Sequence, residues 1–348
     1  MQDPDEQWHR DLKKEYDGAA FAQGYDGQAD CAHFGAAYQG VALGGRMKAI
    51  TEHTITDAAT QQMAGTPNPR LRQIMDSLVR HLHAFTREVD LTPEEWLEAI
   101  RFLTAVGQKC TAHRQEFILL SDTLGMSALV NALHDKRASG AATKSSLLGP
   151  FYRQDAPMMK LGDSIVSKSE GTPVVFYGRV IDSAGRGIPN ALVQVWEPDE
   201  TGNYDLQKHD PSEMDLRGCF RTDGKGNYFF RGLCPTGYMI PMDGPVGDMI
   251  RAQKRHGYRP AHIHFVIGAP GYRELVTALY VAGDPHIDSD TVFGVDESLI
   301  IKRNAIDKAS PLPDLPSIHY DFRLAAAKDG MSGRVGADPS QITSKVGA

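Results

Sequence analysis

The sequence predicts two folded parts: an α-helical N-terminal domain, then a mainly antiparallel β-sandwich domain. Two observations predict this. Between residues 69 and 89, apolar residues recur at the three- and four-residue spacing of one helix face. Beyond residue 172, short runs of β-branched and aromatic residues alternate with Gly, Asp and Asn turns, with little helical pattern between them. The texture changes near residue 145. The helical domain is therefore assigned to 46–145 and the sandwich to 146–325.

Residues 1–45 are rich in Gly, Ala, Gln and Asp without sustained periodicity and are expected to form a flexible extension. A helix is expected from Pro69, through Leu71, Ile74, Leu78, Leu82, Phe85 and Val89. The next helix announces its own start. Thr92 is an N-cap residue, Pro93 suits the first helical position, and Glu95 completes a capping box. One or two helices should then fill Asp90 to Leu120, and a shorter one Leu124 to His134. Strands are expected at Val174–Ile181, Ala191–Trp196, His262–Ile267 and Leu275–Val281, and a turn leading into a strand at Asp223–Phe230. One helix should interrupt them at Val246–His256. The tail at 326–348 is rich in Gly, Ser and Ala and is expected to be disordered.

Composition narrows the function. A length of 348 residues suits about two domains, and 41% hydrophobic residues suffice for their cores. A net charge of −7 argues against a nucleic-acid-binding surface. No apolar run approaches the ~18 residues of a membrane-spanning helix, and the acidic N-terminus has no signal-peptide core. Cys31, Cys110, Cys219 and Cys234 are widely spaced and read as free thiols, which points to a cytoplasmic protein.

The segment from Tyr258 to Val266 carries the most chemical information. His262 and His264 lie two residues apart in a strand, so both side chains point to one face and can reach one metal ion. Tyr204 and Tyr238 lie upstream in glycine-bearing turns. Spacing alone leaves two readings open: ordinary turn aromatics beside a half-buried strand, or a metal site of two imidazoles and two phenolates. The second would suit iron(III), a hard cation that can displace a phenol proton of solution pKa ~10. Zinc more usually takes Cys or carboxylate with His, and iron(II) oxygenases take two His and one carboxylate.

Several ordered motifs carry a resemblance. They are Leu148-Gly149-Pro150-Phe151-Tyr152, Pro189-Asn190-Ala191 leading to Trp196, Leu216-Arg217-Gly218, Pro235-Thr236-Gly237-Tyr238 and Arg259-Pro260-Ala261-His262-Ile263-His264. In the helical part they continue with Leu78 to His83 and Arg114 to Asp122. From about Met47 to Tyr320 the chain resembles the intradiol ring-cleavage dioxygenases, and within them the hydroxyquinol and catechol 1,2-dioxygenases. The resemblance implies that Tyr204, Tyr238, His262 and His264 bind Fe(3+). It implies that Tyr238 is the axial ligand that leaves when substrate binds and accepts a substrate proton, and that Arg259 faces the ring. Leu119, Asp122, Leu147, Pro150, Phe151 and Val292 fall on positions lining the ring pocket. Ala278 departs from the glutamine that catechol-cleaving members generally carry.

The activity so implied is cleavage of hydroxyquinol (benzene-1,2,4-triol) by O2 between its vicinal hydroxyls, to a hydroxymuconate or maleylacetate. The alternative substrate is catechol or a substituted catechol, giving cis,cis-muconates. Asp122 would accept a hydrogen bond from the third hydroxyl, or, on a plainer reading, cap the helix beginning near Leu124. The resemblance also implies a homodimer joined through the helical domains, with a phospholipid in some members at that interface.

Overall fold

The computed structural model describes residues 50–327, apart from 112–113, 138–141, 208–209 and 211–212. The expected extension at 1–45 and all but the first two residues of the expected tail lie outside the described residues. The chain divides into two compact units between Leu91 and Thr92.

In the first unit, helix α1 (Ile55–Gln62) precedes the long helix α2 (Pro69–Glu88). Asn68 caps α2 by accepting from the amides of Arg70 and Leu71, and Pro69 occupies the first turn, where no amide hydrogen is needed. The apolar stripe of α2 is largely exposed: Leu71, Ile74, Leu78, Leu82 and Phe85 are each close to half accessible.

The second unit begins with α3 (Pro93–Lys109), and the capping box is present. Thr92 Oγ1 accepts from the Glu95 amide at 3.2 Å, and Glu95 Oε2 accepts from the Thr92 amide at 3.0 Å. The segment expected to hold one or two helices holds two, since α3 stops before Cys110 and α4 (Glu116–Thr123) follows. Helix α5 (Met126–Lys136) comes next. No single helix among the described residues is long and apolar enough to cross a membrane. Helices α4 and α5 meet that length and composition only as a pair, bent by 72°.

Two sheets form the sandwich. In one, β1 (Pro173–Ile181) pairs antiparallel with β4 (Asn227–Leu233), and its other edge takes β10 (Ser317–His319) and β11 (Phe322–Arg323) in parallel. The second sheet runs β3-β2-β7-β8-β9. Its strands are β2 (Leu192–Trp196), β3 (Arg217–Arg221), β7 (His262–Gly268), β8 (Leu275–Val281) and β9 (Ile300–Ile301). A separate ribbon pairs β5 (Tyr238–Met239) with β6 (Tyr258–Arg259). The expectation of mainly antiparallel pairing holds, and the parallel exceptions involve strands of two or three residues. Strands β9 and β10 arrive long after their partners β8 and β1, as parallel pairing requires, and β11 follows β10 directly.

Alternation along β7 organises the unit. Ile263, Phe265 and Ile267 enter the core between the sheets, with Val193, Val195, Phe176 and Phe230. The alternate residues His262, His264 and Val266 must face the other way. Helix α6 (Pro245–Ala252) ends earlier than the sequence suggested. Lys254 adopts a left-handed conformation (φ 54°), and the Arg255 amide turns back onto the Ile250 carbonyl, which closes the helix.

Candidate metal centre

Four aromatic side chains converge on the outward face of β7. The His262 and His264 rings are 4.8 Å apart at 83°, and Tyr238 stands 5.4 Å from His262. Tyr204 lies 5.7 Å from Tyr238 and 6.3 Å from His264, which completes a ring of four. The two phenol oxygens are 3.5 Å apart. Each of the four residues is at most 8% exposed.

Local chemistry holds each one in place. Asp199 Oδ1 accepts from the amides of Thr201 and Asn203, which shapes the turn before Tyr204. Gly202 in that turn has φ 84°, and a Cβ there would fall 2.4 Å from the Tyr238 Cβ. The turn that delivers one tyrosine therefore tolerates only glycine because the other packs against it. Phe151 stacks on Tyr204 at 4.5 Å, and its carbonyl accepts from Arg217, whose guanidinium forms a buried ion pair with Asp205. Trp196 stacks on His264 at 4.9 Å and 5°.

The histidines are neutral. Burial, reinforced by the Arg259 charge, holds His262 well below the usual imidazole range, and burial, His262 and Arg259 do the same to His264. His262 Nδ1 donates to the Pro260 carbonyl at 2.7 Å, which leaves Nε2 as a lone pair, and Arg259 Nη1 donates to it at 3.0 Å. The Leu147 carbonyl approaches the His264 ring without a well-formed hydrogen bond, so His264 Nδ1 is buried and unpaired. Burial, with the neighbouring Tyr238, pushes the Tyr204 phenol well above its ordinary value. Among the described residues no three His, Cys, Asp or Glu side chains gather to hold a metal ion. A metal bound here would therefore use tyrosine oxygen. Two neutral imidazoles and two buried phenols form a donor set that fits a hard trivalent ion, whose charge offsets the cost of ionising the phenols.

The expected pocket residues fall into three groups. Leu119, Pro150 and Phe151 line a cleft of about 460 Å³, together with Asn203 and Met239, the sequence neighbours of Tyr204 and Tyr238. Leu147 and Val292 pack with Leu119 in one apolar cluster. Asp122 is buried on α4 within electrostatic reach of Arg259 and Asp290. It does not cap α5, whose N-cap is Gly125. Ala278 is fully buried and pairs directly with His264 across the strands. The sequence reading missed Asp290 and Tyr280, which hold Arg259. Asp290 is 31 residues from Arg259 in the chain and carries no local signal. Tyr280 could have been placed opposite His262 only from the register of β7 and β8.

Residues 147–326 match the family described as "Dioxygenase", and residues 68–142 match "Catechol dioxygenase N terminus". The chain is 45% identical to 6-chlorohydroxyquinol 1,2-dioxygenase of Cupriavidus pinatubonensis, over 73% of its own length and 92% of the relative's. The chain belongs to the intradiol ring-cleavage dioxygenases. This dioxygenase is also 41% identical to hydroxyquinol 1,2-dioxygenase of a Rhizobium species, over 79% of this chain and 96% of that one. Its structure resembles a hydroxyquinol 1,2-dioxygenase from Pseudomonas putida, with TM-score 0.73 and 46% identity, covering 79% of this chain and 99% of that one. An Acinetobacter catechol 1,2-dioxygenase aligns with TM-score 0.68 at 26% identity, covering 79% and 92%. Members of the family use non-haem iron.

The carboxyl of Asp122 in this dioxygenase is pushed from 3.8 up to about 6, chiefly by burial and further by Asp290, against the Ser127 hydroxyl and the Arg259 charge. The contribution of this carboxyl favours the fold most below pH ~4, where the group is neutral in both states. That contribution then falls as pH rises to about 6, by on the order of 3 kcal/mol. Asp122→Asn should remove this fall. Urea unfolding of wild type and variant at pH 4 and pH 8 should show the variant gaining relative stability at pH 8. An identical difference at both pH values would contradict the buried, uphill ionisation.

Proposed function

We propose that this dioxygenase binds one iron(III) ion through Tyr204, Tyr238, His262 and His264 and uses O2 to cleave hydroxyquinol between its vicinal hydroxyls. The product is a hydroxymuconate or its maleylacetate tautomer. The observation that carries the reading is the closed ring of two neutral imidazoles and two phenols, 3.5 Å apart at their oxygens, beside a cleft. Bound iron(III) supplies the Lewis-acid and redox chemistry that makes the diol reactive towards O2.

The side chains supply the rest. The Tyr238 oxygen takes one proton from a substrate hydroxyl. Arg259, already cationic and buried, stabilises the negative charge that develops on the ring. Leu119, Pro150 and Phe151 wall the ring and exclude water, and Leu147 and Val292 back them. Asp122 accepts a charge-assisted hydrogen bond from the third hydroxyl, which also offsets its desolvation.

The test is to incubate the iron-loaded protein with hydroxyquinol and with catechol and to identify the products. Dicarboxylates opened between the hydroxyls are expected, with the higher kcat/KM on hydroxyquinol. A yellow semialdehyde from cleavage beside the diol would overturn the reading. A second reading, with catechol preferred, draws on the 37% identity to the catechol 1,2-dioxygenase of Candida albicans. It predicts the reverse order of kcat/KM.

We also propose a homodimer joined through the helical region, with a phospholipid bound at that interface. The exposed apolar stripe of α2 supports it, because helix faces of this kind are normally covered. Sedimentation of a monomer at micromolar concentration would refute the dimer, and lipid-free extracts by mass spectrometry would refute the lipid.

A further inference from the structure

We infer that Asp290, together with Tyr280, is the positioning residue that sets how Arg259 meets the substrate. The inference rests on the proposed function, since it concerns the arginine beside the metal. Its basis is a closed hydrogen-bonded circuit. Arg259 Nε donates to Asp290 Oδ1 and Nη2 donates to Asp290 Oδ2, both at 3.2 Å, a two-pronged pair with both side chains at most 4% exposed. Nη2 also donates to the Tyr280 oxygen at 3.3 Å.

The proton directions around the circuit are determined. Ser146 Oγ donates to the Gly294 carbonyl at 2.9 Å, so the 2.8 Å contact between Ser146 and Tyr280 must be donated by the tyrosine. That leaves a Tyr280 lone pair for Arg259. The Gly294 amide donates to Asp290 Oδ2 at 3.0 Å, and the Val292 amide donates to Oδ1 at 3.3 Å. Both Asp290 carboxylate oxygens are therefore shared between Arg259 and the amides of the loop that follows.

Packing closes the same circuit. A Cβ on Gly294 would fall 2.5 Å from the Tyr280 oxygen and 3.0 Å from Arg259 Nη2. No side chain fits there, so the close approach of Tyr280 and the guanidinium to this backbone requires glycine. Asp290 and Tyr280 thus consume the Nε and Nη2 edge. Only Nη1 is left to face the histidine pair, where it now donates to His262 Nε2. A planar fork held along one edge presents the other edge in a fixed direction, which a lysine could not do.

The test is a double-mutant cycle of Asp290→Asn and Arg259→Lys in the iron-loaded enzyme, with the metal-free protein unfolded in urea alongside. Asp290→Asn alone should lower kcat by about thirtyfold or more, shift KM by less than about threefold, and leave iron content and the visible band unchanged. In the Arg259→Lys background it should cost less than about threefold, and the stability effects in the metal-free protein should also be non-additive. Equal losses in both backgrounds, or loss of iron with Asp290→Asn, would overturn the inference. Should Asp290→Asn fail to fold, Tyr280→Phe replaces it. It should lower kcat about threefold or more in wild type and leave the Arg259→Lys enzyme unchanged, and the same loss in both would overturn the inference. A wild type without turnover on either diol would sink the proposed function instead, while the metal-free cycle would still report whether the pair is coupled.

Discussion

His264→Ala is expected to yield a protein that folds but holds little iron and turns over at least ~1,000-fold more slowly. The ring it removes is 2% exposed, stacked on Trp196 and 4.8 Å from its partner imidazole. On the proposed ligand set, its loss removes one of four donors. The purified wild type should be red-brown from tyrosinate-to-iron(III) charge transfer, and the variant should be nearly colourless. Iron content per chain, the visible spectrum and turnover on hydroxyquinol check this together. Full iron and full turnover in His264→Ala would show that the four-residue ligand assignment is wrong.

Tyr238→Phe should separate binding from chemistry. The phenylalanine ring can keep the packing against Tyr204 and His262, so only the oxygen is lost. Some iron should remain on the other three donors. On its proposed role, the base that takes a substrate proton is gone, and a fall in kcat of about 100-fold to 10,000-fold is expected. The visible band should shift because one of two phenolates no longer contributes, and the further change on adding diol without O2 should shrink. A spectrum and rate matching wild type would remove Tyr238 from both roles.

Much of this was legible in the chain because it is local. The capping box at Thr92 and Glu95 needs only a four-residue window, and β8 was read at its observed limits, Leu275–Val281. The pairing of His262 and His264 on one face follows from strand alternation alone. Helix α1 was missed because its eight residues, Ile-Thr-Asp-Ala-Ala-Thr-Gln-Gln, offer one large apolar side chain and two alanines, and Thr54 at its N-cap makes no side-chain capping bond. Strands β5, β6, β9 and β11 have two residues each, too few for any period to register, and β10 has three. The clasp of Asp290 and Tyr280 on Arg259 depends on a loop folding back across the sheet. No spacing rule encodes such an encounter. Asp122 shows the intermediate case: its type and position invited a capping role, and only the N-cap of α5 at Gly125 removed that reading.

Strand register has a practical side for anyone redesigning this enzyme. Tyr238 and Arg259 sit directly opposite one another on a ribbon only two residues wide. On the proposed roles, the base and the cation share one hinge, and neither can be relocated without dragging the other. The side chains proposed to judge the ring are mounted elsewhere, Leu119 and Asp122 on α4 and Val292 on the loop after Asp290. Substrate range is thus the separable module. Libraries confined to those mounts should broaden the accepted rings while the reactive pair stays assembled, whereas diversity introduced on the ribbon should mostly return inactive protein.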